Sequence, residues 1–283
     1  MTSSASDIRR GAVVTGAGRG LGRQIAELLA DLGHQVLVTD VDEAAAQTAA
    51  TEIGRGATAL AVDVRDHAQV EAARDAIVES AGRLDVWVNN AGVLLTGPGW
   101  EQDETSRRLM LEVNALGTIN GTVAAIHAMR RQGGGHVVNV ASLAGLTAVA
   151  GEAVYAASKH AVLGFSLSTM ADLRAAGITD IDISCVCPDG IWTPMLHDKV
   201  EDPASALSFS GKLLQPQEVV ETVRKILARP RLVTAVPRWR GLQVRLSDAV
   251  PELGLRALPL AVAQGRRAQR KLAARAGSTN SDV

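Results

Sequence analysis

Aromatic side chains are scarce in this 283-residue chain, with two Phe, four Trp and one Tyr making up 2% of it. So small a set cannot build the stacking platforms on which single-stranded nucleic acid is held. Nor is there a surplus of positive charge to attract a polyanion, because 29 basic residues stand against 30 acidic ones. No nucleic-acid partner is expected. Two cysteines are too few for a disulfide framework, and Cys185 and Cys187, two apart in an apolar run, read as buried free thiols on one face of a strand. No His or Cys cluster accompanies them, so no metal is expected. The chain has no apolar stretch near the roughly 18 residues of a membrane-spanning helix, and Met1–Arg10 lacks the apolar core of an export signal. A cytoplasmic location is the expectation.

What is abundant is apolar surface in short, regular runs. Hydrophobic residues make up 47% of the chain and charged residues 21%, close to globular averages. The runs fall at 12–15, 35–39, 58–62, 84–88, 136–140, 181–186 and 232–236, separated by helical periodicity near 20–32, 42–53, 66–81, 104–131, 153–176 and 216–228. Strands that are apolar almost throughout and alternate with helices imply a parallel sheet covered on both faces. The expected fold is α/β: a doubly wound, Rossmann-type seven-stranded parallel sheet occupying residues 8–237, with a C-terminal helical extension. Residues 1–7 read as a flexible start.

Charge is distributed unevenly, with 18 basic and 27 acidic residues in 1–228 but 11 and 3 in 229–283. Residues 238–275 therefore read as a basic amphipathic extension broken at Pro251 and Pro259, and 276–283 as a disordered tail. Packing of the extension near the substrate site is expected first. Peripheral contact with an anionic membrane surface is the alternative.

Between the first run and the first helix stands Thr15-Gly16-Ala17-Gly18-Arg19-Gly20-Leu21-Gly22. Glycines at a strand-to-helix turn admit a pyrophosphate to the backbone, and the helix N-terminus supplies free N–H groups and a positive dipole end. Asp40, at the end of the second run, is placed to accept a hydrogen bond from an adenosine ribose 2′-OH. A 2′-phosphate there would meet the carboxylate at a cost of roughly 4 kcal/mol for unit charges 4 Å apart. NAD is accordingly expected ahead of NADP, with Arg19 pulling the other way.

From Gly11 to Val236 the chain resembles a short-chain dehydrogenase/reductase. Thr15-Gly16-x-x-x-Gly20-x-Gly22 resembles the family's cofactor turn, Asp63-Val64 the pair beside the adenine, and Asn89-Asn90-Ala91-Gly92 the segment ending the fourth strand. Asn114, Ser142, Tyr155 and Lys159 resemble its catalytic group. The resemblance implies that Tyr155 exchanges a proton with the substrate oxygen, Ser142 donates to that oxygen, Lys159 holds the nicotinamide ribose, and Asn114 positions a water. Independently, Tyr155 and Lys159 are four apart in a helical run and share a face, from which the ammonium would depress the phenol. After the sixth run, Pro188, Gly190, Ile191 and Thr193 fall where the resemblance puts cofactor contacts, but Asp189 replaces a glycine. Asp189, Trp192 and Met195 are expected at the substrate, ahead of a mobile flap over 194–214.

The implied activity is hydride transfer between NAD(H) and a secondary alcohol or its ketone, possessing a bulky apolar substituent. An NADP-dependent ketoacyl-type reductase and a non-catalytic dinucleotide sensor are the alternatives. Residues 154–176 carry few charges, which implies burial against a second copy in a homodimer or homotetramer.

Overall fold

The computed structural model describes residues 9–279, with side chains through residue 274. The expected flexible start lies outside the described residues, as does the end of the expected tail from residue 280. Seven strands form one sheet in the order β3-β2-β1-β4-β5-β6-β7, every neighbouring pair parallel. They are β1 (Gly11–Thr15), β2 (Gln35–Asp40), β3 (Thr58–Ala61), β4 (Val86–Asn89), β5 (Gly135–Val140), β6 (Ile181–Pro188) and β7 (Val233–Val236).

Alternation along the strands feeds two cores. Val14, Val38, Val138 and Val186 meet α1 (Gly20–Asp31), α2 (Glu43–Ile53) and α8 (Pro216–Ala228) on one face. Val13, Trp87, Val137 and Ile183 meet α3 (His67–Ala81), α5 (Gly117–Gln132) and α6 (Ala153–Ala175) on the other. Each such fully buried side chain contributes about 1.5–3 kcal/mol. The run Glu104–Gln132, which comprises α4 (Glu104–Met110), a π-helical turn (Leu111–Leu116) and α5, is long and apolar enough to cross a membrane. Here it packs against α3 and α6.

Beyond β6 come α7 (Pro194–His197) and a 3-10 segment (Pro203–Phe209), and beyond β7 come α9 (Arg238–Ala249) and α10 (Pro251–Thr279). The expected break at Pro251 is present, where the ring's fixed φ suits a helix start. The expected break at Pro259 does not occur: α10 runs through it, and continues to Thr279, past the boundary expected at 275. One proline removes a single backbone hydrogen bond. The docking of α10 farther along holds the helix together: Gln269 Nε2 donates to Lys199 O, Asp202 O and Ser205 Oγ at 3.1, 2.7 and 2.9 Å. At Gly265 a Cβ would stand 1.8 Å from Ala206 O, so only glycine allows this approach.

Candidate active site

The strand order reverses at β1, whose neighbours are β2 and β4. A crevice is expected at the carboxyl ends of strands flanking such a point. A cleft of about 1010 Å³ opens there and extends under α9 and α10.

At its inner end, the loop from β1 to α1 brings Gly16, Arg19, Gly20, Leu21 and Gly22 to the wall. Gly16 has φ +60°, and a Cβ on it would lie 2.6 Å from Ala91 Cα, so a side chain is excluded on both counts. Asn90 secures the loop by donating through Nδ2 to Thr15 O (3.0 Å) and Gly16 O (2.9 Å). The helices α2, α3 and α4 begin with an Asp side chain capping their first N–H groups, whereas α1 begins at Arg19 with no side-chain cap and no acidic residue in its first turn. Its leading N–H groups face the cleft uncapped, which fits a dinucleotide pyrophosphate.

Asp40, Asp63, Val64, Ala91 and Gly92 line the same end. Asp40 Oδ2 accepts from Gly18 N (3.0 Å) and Oδ1 from Asp42 N (3.1 Å), so its carboxylate is oriented by the turn it faces. Arg65, the cation nearest to Asp63 in sequence, is tied to that carboxylate at 2.6 Å, and the Arg65 guanidinium holds Asp63 below the usual carboxylate range.

Farther along, Ser142, Tyr155 and Lys159 converge from the end of β5 and the first turns of α6. Ser142 Oγ accepts from Ala144 N (3.1 Å), leaving its hydroxyl proton for another partner. Lys159 Nζ donates to Val140 O (3.0 Å) and lies 5.7 Å from the Tyr155 ring centre. Burial pushes Lys159 down to about 8, with Cys187 and Cys185 opposing.

The ammonium alone does not depress the phenol. Tyr155 is raised above its ordinary value, first by burial and then by the charge of Glu152, while the hydrogen bond with Ser142 alone pulls it down. Desolvating a phenolate outweighs an ammonium that points at a carbonyl on the strand.

Two further expectations change. Asn114 is completely buried beneath the cleft instead of lining it. It sits in the π-helical turn, where Oδ1 accepts from Val93 N (2.8 Å) and Nδ2 donates to Val93 O (2.9 Å) and Ser158 Oγ (3.0 Å). It thus locks the loop after β4 to the helix carrying Tyr155, and its Oδ1 and Lys159 Nζ both approach the bare face of Gly92. Trp192 does not line the cleft either. Ile191 bridges to Leu214 and packs against the core, and its extended neighbour Trp192 lies against His197, ring centres 4.2 Å apart and tilted by 53°.

Pro188, Gly190, Ile191, Thr193 and Met195 do line it, together with Asp189. The Asp189 side chain is 11% exposed and is gripped by Arg240 Nε of α9 at 3.2 Å, while Arg240 Nη2 also donates to Ser210 Oγ (3.0 Å). Asp189 is a tether for the C-terminal helices. The segment 194–214, expected as a loose flap, is packed at Leu196 and Phe209 and held by Gln269.

Sequence reasoning missed Glu152, which lines the cleft one turn before Tyr155 and is 1% exposed. Its Oε1 accepts from Ser208 Oγ at 2.5 Å, and burial, with Asp202 and Asp189 adding to it, lifts it to about 7. A signal was available: Glu152 is the only acidic residue between Glu112 and Asp172.

A parallel doubly wound sheet, an uncapped helix behind a glycine turn and a Ser-Tyr-Lys group at one cleft define a dinucleotide-binding oxidoreductase class. Residues 10–204 match the model of the short chain dehydrogenase family. The chain is 31% identical to mouse estradiol 17-beta-dehydrogenase 11 over 87% of this chain and 81% of that protein. It is 33% identical to the 3-oxoacyl-acyl-carrier-protein reductase FabG of Vibrio cholerae over 77% and 89% respectively. A short chain dehydrogenase/reductase of Burkholderia phymatum, solved in complex with NAD, superposes with TM-score 0.78 at 30% identity, covering 88% of this chain and 96% of that one. The chain belongs to the short-chain dehydrogenase/reductase family of oxidoreductases.

Proposed function

We propose that this chain is an NAD-dependent dehydrogenase or carbonyl reductase acting on a bulky apolar secondary alcohol or its ketone. The observation that carries the reading is the Ser142–Tyr155 pair at the cleft wall, with Lys159 one turn along the same helix face. Bound NAD(H) supplies the hydride acceptor or donor. Tyr155 gives its proton to the carbonyl oxygen in reduction and, as the phenolate, takes the alcohol proton in oxidation. Ser142 donates to that oxygen as charge develops on it. Lys159 holds the nicotinamide ribose.

Asp40 supports NAD: its carboxylate faces the glycine turn, and Arg65 is already engaged by Asp63. Leu95, Val149, Leu207, Val244 and Leu258 along the outer cleft support an apolar substrate. Leu111, Leu116 and Leu167, exposed by 43%, 44% and 38% on the π-helical turn and α6, support a homo-oligomer.

The test is to follow reduced-nicotinamide absorbance with NAD and NADP over secondary alcohols of increasing apolar size. Turnover with NAD that rises with size is expected. A preference for NADP and a ketoacyl substrate would favour the reductase reading, which the FabG likeness and the exposed Arg19 support.

A further inference from the structure

The helices α9 and α10 carry an outer face that nothing among the described residues covers. Trp239, Leu242, Leu246 and Val250 recur at the spacing of a single helical stripe and are 61%, 63%, 64% and 45% exposed. The opposite side of α9 is fixed inward at Gly241, where a Cβ would lie 2.1 Å from Ala235 Cβ. On α10, Leu253 and Leu260 are 60% and 77% exposed, opposite the docked Gly265 and Gln269. Because α10 continues through Pro259, these positions belong to one long face and not to short pieces with little apolar area each.

The charge on this face selects its partner. Residues 238–274 hold eight basic residues and two acidic ones. Arg240 is engaged by Asp189, while Arg238 and Arg256 flank the stripes and are exposed. A second copy docking here about a two-fold axis would set one basic face against another. Anionic headgroups above an apolar phase complement both features at once. The face also adjoins the cleft: Leu255 lines the cleft and is 60% exposed.

We infer that the outer face of α9 and α10 docks on an anionic lipid bilayer, from which an apolar substrate enters the cleft between the two helices. Entry rests on the substrate class proposed above. Docking does not, and it is read without turnover.

The test is flotation of the full chain with phosphatidylcholine vesicles, with and without phosphatidylserine. The parent is expected to bind the anionic vesicles, to release in high salt, and to show a blue shift of tryptophan emission that Trp239→Phe removes. Leu242→Asp with Leu246→Asp is expected to lower the bound-to-free ratio at least about tenfold. Arg238→Gln and Arg256→Gln are each expected to lower it about fivefold. These residues lie outside the cleft, so the melting temperature and NAD binding serve as folding controls, and the arginine variants keep the test open if the aspartates disturb packing. A parent that ignores anionic vesicles overturns the inference. So does a dimer that Leu242→Asp dissociates, since a second copy would then cover the stripe.

Discussion

The two ends of the cleft are built by different means. The end at Gly16 and Asp40 is made of backbone: a glycine turn, an uncapped helix and a carboxylate held by the turn it faces. The outer end is made of side chains joining segments far apart in the chain, as in Asp189 with Arg240 and Gln269 with the 3-10 segment. Backbone geometry tolerates few sequences and so leaves a signature. Long-range side-chain tethers leave none, and they are free to vary with substrate.

The difference can be broken at several points. Tyr155→Phe carries the largest expected effect, a fall in kcat of about 10²–10⁴ with NAD affinity nearly unchanged, checked by steady-state rates beside calorimetric NAD binding. Arg240→Ala follows: it leaves Asp189 buried without its partner, and should cost about 3 kcal/mol in denaturant unfolding while raising substrate KM more than cofactor Kd. Arg240→Ala with Asp189→Asn should recover part of that loss.

Glu152 gives a pH signature. Its folded-state pKa is lifted from 4.5 to about 7, so the folded state holds a proton that the unfolded chain releases, and stability falls as pH rises across that window. Glu152→Gln keeps an acceptor for Ser208 and should remove the fall, a gain of about 3 kcal/mol at pH 8 measured against pH 4 by denaturant titration. The smallest effect belongs to Asp40→Ala, which should narrow the preference for NAD over NADP about tenfold in paired binding titrations, by removing an acceptor and a repulsion together.

The seven strands and the helices α1, α2, α3, α6 and α8 were legible because most strands are apolar on both faces and several helices open or close on a recognisable residue, such as Asp42, Asp66 or Gly82. The inner site was legible for the same reason. Asn114 sits in a π-helical turn beneath the cleft, a placement that the surrounding periodicity does not reveal. Trp192 was misplaced because the bridge of Ile191 to Leu214 decides which way the extended segment faces, and that pairing spans a loop. The raised Tyr155 followed from burial, which spacing to Lys159 does not reveal. The course of α10 through Pro259 depended on contacts at Gly265 and Gln269 that only the folded chain brings together.

The most direct test of the account is a single-turnover reaction of the enzyme–NAD complex with a bulky apolar secondary alcohol, followed by reduced-nicotinamide absorbance in parent and Tyr155→Phe. The account predicts a rapid absorbance rise in the parent and its loss in the variant, with both proteins binding NAD equally. Equal rises in the two proteins, or tight NAD binding with no rise in the parent for any secondary alcohol, would contradict it.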